Sequence, residues 1–309
     1  MKVVIVGAGI CGLYLAWKLA EKGEDVTVFE KRDKIGKEVC SGLFSQRILE
    51  FIPESKNLIK NKIDYCFICF PKRTLKIQFS SQFYVMNHHE LDSLVFDLAK
   101  KAGAKIILKQ PVNSTPEGFN RIIGCDGALS QIRKGLGLKN PKFYLGIQGF
   151  LKKNDNSSYV ETWPTKNGFI WKIPRGKEIE WGIIERAGEA KKLFNAFLKE
   201  KNINLEKIKA AIVPQGLILP FNSKITLCGD AAGLTKPWSG GGVIWGIITA
   251  NILLKNFPDF LKYQKEIKKF FLPKIILGNL AKKLVYFLGF NFPYFLPKNF
   301  QIEGDFLIG

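Results

Sequence analysis

Gly7-Ala8-Gly9-Ile10-Cys11-Gly12 fits the spacing G-x-G-x-x-G, and it stands between an apolar run at residues 3–6 and a helical periodicity over residues 10–22. In such a loop Gly7 permits the tight turn, Gly9 lets a pyrophosphate approach the backbone, and Gly12 lets the helix pack closely on the strand. The helix start, which includes Cys11, then offers free N–H groups and a partial positive charge to phosphates. A second apolar run, residues 26–29, closes on Glu30. A carboxylate there accepts hydrogen bonds from a ribose diol and disfavours a 2′-phosphate. Strand, helix and strand in this order open a doubly wound parallel sheet that binds a dinucleotide.

Two more stretches carry acids beside glycines. Residues 225–228 are strand-like and run into Gly229-Asp230-Ala-Ala-Gly233; Gly240-Gly241-Gly242 then precedes a helical stretch that begins near Val243. Asp230 there suits a polyol hydroxyl, and equally a helix N-cap. Gly124-Cys125-Asp126-Gly127 follows another short strand, residues 121–123. Asp126 reads either as a ligand contact or as an Asp-Gly turn with a helix cap. Cys66-Phe-Ile-Cys69 is a single C-x-x-C. A zinc site needs about four ligands, and cysteines three apart on a strand face opposite sides. Two buried thiols are expected, and no metal.

The elements that must position these residues follow from periodicity. Residues 65–70 and 75–79 predict a hairpin, residues 89–101 a helix, and residues 105–108 a strand. Residues 143–151, 159–163, 169–173 and 180–185 alternate as an antiparallel sheet. Residues 191–199 and 242–254 predict helices. The chain leaves the first domain and returns to it, so two interleaved domains are expected. With 309 residues and 46% hydrophobic content, the chain can build a sizeable core and is not intrinsically disordered. No apolar run reaches the ~18–20 residues that span a bilayer. Six scattered cysteines and no secretory signal point to a reducing cytoplasm. Lys and Arg number 47 against 27 Asp and Glu, a net charge of +20. That implies either attraction to polyanions or a lysine-rich solvated surface.

The three glycine–acid stretches, in this order, resemble the FAD-binding architecture of the para-hydroxybenzoate hydroxylase-like flavoproteins. Gly233-Leu-Thr-Lys236-Pro237-Trp-Ser-Gly-Gly-Gly-Val243 resembles the late motif of the geranylgeranyl reductase family. Phe169-Ile-Trp171-Lys-Ile173-Pro174, then seven residues and Gly182, resembles its Tyr-x-Trp-x-Phe-Pro…Gly-x-Gly signature, with Phe169, Ile173 and Ile184 as departures. Residues 35–42 resemble the segment that carries a cysteine beside the flavin. The resemblance implies an FAD-binding Rossmann-type α/β domain with an inserted antiparallel β-sheet substrate domain and a short helical C-terminal region. The expected boundaries are 1–63, 86–141 and 214–255 for the FAD domain, 64–85 and 142–213 for the substrate domain, and 256–309 for the rest. The implied FAD contacts are Gly7, Gly9, Cys11, Gly12, Glu30, Cys40, Ser41, Asp126, Asp230, Gly242 and Val243. Val112 would meet the adenine, and His88 stands where the family has an Arg. Cys40 is the candidate nearest the reacting ring. Phe169, Trp171 and Trp181 would line an apolar channel, or form sheet core.

The activity implied is saturation of isoprenoid C=C bonds, in archaeal ether-lipid precursors, with reduced FAD. The alternatives are a monooxygenase or halogenase of the same fold, a non-redox flavin-dependent cyclase, and a lipid-binding flavoprotein without turnover. No second dinucleotide fingerprint is present, so the resemblance implies a ferredoxin-like electron donor. Residues 255–300 hold nine Lys against Asp259 and Glu266, interleaved with twelve Phe or Tyr, and Pro273, Gly289 and Pro293 predict a division into short helices. This segment suits either peripheral docking on the anionic inner face of the membrane or cover for the flavin domain. Nucleic acid is not expected as a partner.

Overall fold

A computed structural model describes residues 1–36 and 39–307. Lys37 and Glu38, inside the 35–42 segment, and the C-terminal Ile308 and Gly309 lie outside the described residues. The chain forms two compact units. The first comprises Met1–Lys37, His89–Lys142 and Pro214–Ile275; the second comprises Glu38–His88, Phe143–Val213 and Ile276–Gly309. The chain does leave the first unit and return to it. Residues 39–63, expected with the dinucleotide domain, group with the second unit instead. The reason is strand pairing: Leu43–Ser45 and the start of Asn61–Phe70 both pair with Arg73–Val85. Residues 256–309 are not a region of their own but divide between the units.

The first unit is a five-stranded parallel sheet in the order Ile225–Leu227, Arg121–Gly124, Lys2–Val6, Asp25–Phe29, Lys105–Ile107. Val3–Val6 is β-branched throughout and buried on both faces, as a central parallel strand requires. Chain order runs outward from this strand to one side and then restarts on the other. The reversal falls between Lys2–Val6 and Arg121–Gly124, the place where open α/β sheets bind ligands beyond their carboxyl ends. Val4, Val6, Ile122, Ile132, Ile225 and Leu227 form one core cluster beside it. The helix Ile10–Glu21 buries Leu13, Leu15, Ala16 and Leu19 completely and ends at Gly23, whose φ of +82° suits glycine.

The second unit is a nine-stranded sheet. Among its described strand pairs, Asn61–Phe70 runs parallel to Tyr159–Pro164 and Asn299–Ile302 parallel to Arg73–Val85, while Phe169–Pro174, Ile179–Glu185 and Lys142–Leu151 pair antiparallel. Ile179–Glu185 lies between Lys142–Leu151 and Phe169–Pro174, and Phe169–Pro174 pairs in turn with Tyr159–Pro164. Helix Ala187–Glu200 covers one face, burying Ala190, Phe194 and Leu198 against Ile170, Ile183 and Trp181.

The short helices expected beyond residue 255 are one helix, Phe260–Asn291, which passes through Pro273. Pro removes one backbone N–H and costs ~3 kcal/mol in a helix interior. Packing outweighs it: Phe260, Tyr263, Ile267 and Phe271 are fully buried, and Phe271 lies 5.0 Å from the Trp245 ring. Gly289 does not end the helix either. Its missing Cβ makes room for the Phe70 ring. The helix stops at Asn291, before Pro293, and the tail adds the strand Asn299–Ile302.

Candidate functional site

The three glycine–acid stretches sit at the carboxyl ends of three neighbouring strands of the first unit. Val6 pairs with Gly124, and Gly124 with Leu227, so Gly7, Cys125 and Cys228 start the loops side by side. The glycines of the first loop divide their work. A Cβ on Gly7 would fall on the Cys125 backbone, and one on Gly12 on the Gly7 carbonyl. A Cβ on Gly9 would meet nothing within 4 Å. Gly9 is also the N-cap of Ile10–Glu21, and that helix start has neither a side-chain cap nor an acid in its first turn. Open space before uncapped N–H groups is what a diphosphate needs. The helix Val243–Asn256 begins the same way, at Gly242, with no side-chain cap and no acid in its first turn. A Cβ on Gly242 would come 2.8 Å from Asp230 Oδ1, so Asp230 lies against that helix start.

Asp126 does two things. Its Oδ2 accepts the backbone N–H of Gln131 (2.6 Å) and Ile132 (3.2 Å), which is the helix-cap reading. Its Oδ1 is buried with no hydrogen-bond partner among the described residues. An orphaned acceptor beside Gly7 fits a hydroxyl-bearing ligand. Together, the orphaned acceptor, the open Gly9 face and the uncapped helix starts fit a dinucleotide.

Glu30 departs from its expected role. Its Oε2 accepts the Ala8 N–H at 2.7 Å, and its Oε1 accepts the backbone N–H and Nε of Arg32 at 3.0 and 2.9 Å. Arg32 Nη2 lies 3.3 Å from Oε2. A carboxylate has about four acceptor positions, and internal donors occupy them here. Glu30 therefore anchors the glycine loop rather than standing open to a ribose. Burial pushes its carboxyl up, but the Arg32 and Ala8 hydrogen bonds outweigh that and hold it below its ordinary value. The Cys11 side chain is likewise engaged. Its Sγ packs where Gly229 and Gly246 have no Cβ, and a hydrogen bond with the Cys228 thiol, with burial, holds the Cys11 thiol well above its ordinary value. Only the backbone of Cys11 is available to a ligand. Val243 is buried, and Val112 packs half-buried against the sheet core.

In the second unit, Cys40 and Ser41 lie on a half-buried loop without regular secondary structure. Gly42 N–H points to Cys40 Sγ at 3.5 Å, and the Cys40 carbonyl accepts Gln148 Nε2 at 3.4 Å. His88 is buried edge-on against Phe44. Phe169 and Trp171 share a face, with ring centroids 6.0 Å apart. Gly182 pairs with Trp171, and a Cβ there would fall within the indole. That steric need explains the motif glycine.

Trp181 is a correction. It lies on the opposite face, stacked on Trp163 and packed against Phe197 under the covering helix, so it belongs to the core and not to a wall shared with Trp171. Cys66 and Cys69 are free thiols on opposite faces of their strand. Cys66 is buried and Cys69 half-buried, and burial pushes Cys66 up to about 12.

Several charged residues at these loops were not singled out from the sequence. Arg133, 1% exposed, donates to the carbonyls of Ala231 (2.7 Å) and Ala128 (2.6 Å), stapling the second loop to the third. Arg175 donates to the carbonyls of Ser41 and Met86 and to Glu180. Glu180 is fully buried and also accepts the Trp171 indole N–H at 2.9 Å. Burial pushes its carboxyl up to about 8, against the pull of Arg175. The signal was available: Glu180 is a charge in the otherwise apolar run 179–184.

Residues 5–49 match the model of the NAD(P)-binding Rossmann-like domain. The digeranylgeranylglycerophospholipid reductase of Methanococcus vannielii is 27% identical over 302 residues, covering 82% of this chain and 77% of that protein. A geranylgeranyl bacteriochlorophyll reductase-like protein from Thermoplasma acidophilum superposes with a TM-score of 0.82 at 23% identity, covering 91% of this chain and 86% of the other. A flavin-dependent brominase superposes with a TM-score of 0.74 at 13% identity, covering 95% and 88%. The chain is thus similar in sequence to digeranylgeranylglycerophospholipid reductases, and it has the α/β Rossmann-type fold found in the reductase-like protein and in the brominase.

Proposed function

We propose that this chain is an FAD-dependent oxidoreductase that saturates C=C bonds of geranylgeranyl chains, with archaeal ether-lipid precursors as the substrate class. The observation that supports it best is the convergence of the three glycine–acid loops on adjacent strand ends, in a chain related to digeranylgeranylglycerophospholipid reductases. Gly7, Gly9 and Gly12 would leave the backbone of the first loop open to the diphosphate. The N–H groups at the starts of Ile10–Glu21 and Val243–Asn256 would meet its negative charge. Asp126 Oδ1 and Asp230 would accept hydroxyls of the bound cofactor. Reduced FAD would supply a hydride to one alkene carbon, and a proton drawn from solvent would add to the other. Cys40 and Ser41 would stand beside the reacting ring. Phe169 and Trp171 would form an apolar wall that holds a prenyl chain and excludes water, which an isolated alkene requires because it is a poor hydride acceptor.

A peripheral seat on an anionic membrane, and an external donor of the ferredoxin type, complete the reading. No described helix is long and apolar enough to cross a membrane. Helix Phe260–Asn291 exposes Ile276, Leu277, Leu280, Leu284 and Phe287, which suits lying on a bilayer.

The test is incubation of the purified protein with FAD, dithionite and a geranylgeranyl ether lipid without oxygen, beside a parallel aerobic incubation with FAD kept reduced. The expected result is a yellow protein and a product heavier by about two mass units for each C=C bond reduced. A product without mass change would indicate a cyclase, and one formed only with oxygen a monooxygenase or halogenase. Either result, or failure to retain flavin, overturns the reading.

A further inference from the structure

The Cys40–Gly42 loop has no strand or helix to fix it, yet a set of buried side chains in the same unit does so. Arg175, 7% exposed, donates Nη1 to Ser41 O (2.7 Å) and Glu180 Oε2 (2.9 Å). Its Nη2 donates to Met86 O (3.0 Å) and Asn87 Oδ1 (2.7 Å). Gln148, 3% exposed, holds Cys40 O, and the Gly42 carbonyl accepts the Met86 N–H at 2.8 Å. Gly42 has a φ of +62°, and a Cβ there would fall on the Met86 carbonyl. On its far side Glu180 fixes the Trp171 indole, which lies across Gly182. One continuous run of hydrogen bonds therefore joins the Trp171 wall to the loop.

Stability alone does not account for this pair. A buried ion pair is often replaceable by apolar residues at no loss. What a guanidinium adds is a rigid planar fork whose directions are set. Here the fork is spent on two loop carbonyls, a carboxylate and an amide.

We propose that Arg175 and Glu180 are positioning residues, which hold the Cys40–Gly42 loop at a fixed place relative to the Trp171 wall. The proposal deepens the functional reading and rests on it for the meaning of the loop. The hydrogen-bond run itself does not.

The test uses the flavin-loaded full chain and the variants R175K, R175M and E180Q. Two readouts are taken: the rate of Cys40 alkylation by iodoacetamide, read by peptide mass spectrometry with Cys69 as internal control, and the split of turnover into kcat and KM. Freeing the loop should speed Cys40 labelling about fivefold or more in R175M and E180Q, with R175K between them and parent and Cys69 unchanged; kcat should fall about tenfold with KM nearly constant. Should R175M fail to fold, R175K and E180Q carry the test. Cys40 labelling within about twofold of the parent in both folded variants overturns the proposal. Faster labelling in a protein that never saturates a prenyl chain upholds the positioning role and overturns the assigned reaction alone.

Discussion

Gly9 and Gly12 are three residues apart and serve different needs. A Cβ on Gly12 would enter the Gly7 carbonyl, whereas one on Gly9 would meet open space, and the Gly9 φ of −84° suits alanine. G12A should therefore destabilise the fold by about 1–3 kcal/mol, because helix and strand must part. G9A should leave the unfolding midpoint near the parent value while weakening flavin retention about tenfold, since only the ligand needs that space. Equal stability losses in the two variants, by urea unfolding, would remove the open face as a ligand site. The buried acids give a second prediction, and their signs are opposite. Glu180 is raised from an ordinary 4.5 to about 8, so its contribution to stability is full below 4.5 and is lost as pH rises toward 8. E180Q should flatten that decline, an effect on the order of a few kcal/mol across the window. Glu30 is lowered, so its contribution is present above the ordinary carboxylate value and lost as pH falls through the depressed one. E30Q should flatten only the acid limb. A pH–stability curve of E180Q that still falls between 4.5 and 8 would show that Glu180 is not the buried acid responsible.

At the scale of elements, the long helix sets backbone propensity against packing. Pro273 lies inside it, and Ala there should restore one hydrogen bond, raising stability by up to ~3 kcal/mol in denaturant unfolding. Gly289 should do the reverse. Gly to Ala in a helix interior ordinarily gains ~1 kcal/mol, but the Cβ would enter the Phe70 ring, so G289A should lose stability. A gain in G289A would mean that Phe70 does not seat on this helix. The same two residues mark where sequence reading stops. Local signals were legible wherever the cause was local: the β-branched run 3–6, the glycine loop behind it, the parity that puts Phe169 and Trp171 on one face. They misled where a distant side chain decides. Pro273 and Gly289 look like breaks until Trp245 and Phe70 pack against the helix. Trp181 is an aromatic on the strand beside Trp171, yet it pairs with Lys172, and that register turns it to the helix-covered face. Glu30 was placed correctly at the strand end, but no pattern announced that Arg32 and Ala8 would fill its acceptors.

For the whole molecule the two outstanding features are a net charge of +20 and an apolar ridge. Leu280 and Leu284 stand one helical turn apart, with Ile276 and Phe287 in line, and each of the four is more than half exposed. Phe292, Tyr294 and Phe295 extend the exposed apolar surface past the helix end. Contiguous apolar surface of this kind is costly in water and marks a contact site. Excess lysine would select among contacts: it would favour an anionic bilayer and set copies of the molecule against each other. Binding to phosphatidylglycerol-containing vesicles should therefore exceed binding to pure phosphatidylcholine. It should weaken as salt rises, because the screening length falls to ~8–10 Å at physiological ionic strength. The double variant L280E/L284E should fold normally, since both side chains are exposed, and lose most vesicle binding in co-sedimentation. Unchanged sedimentation of L280E/L284E with anionic vesicles would show that charge acts without the ridge. A parent chain that forms dimers in analytical ultracentrifugation, with the variant monomeric, would assign the ridge to a second copy in place of the membrane.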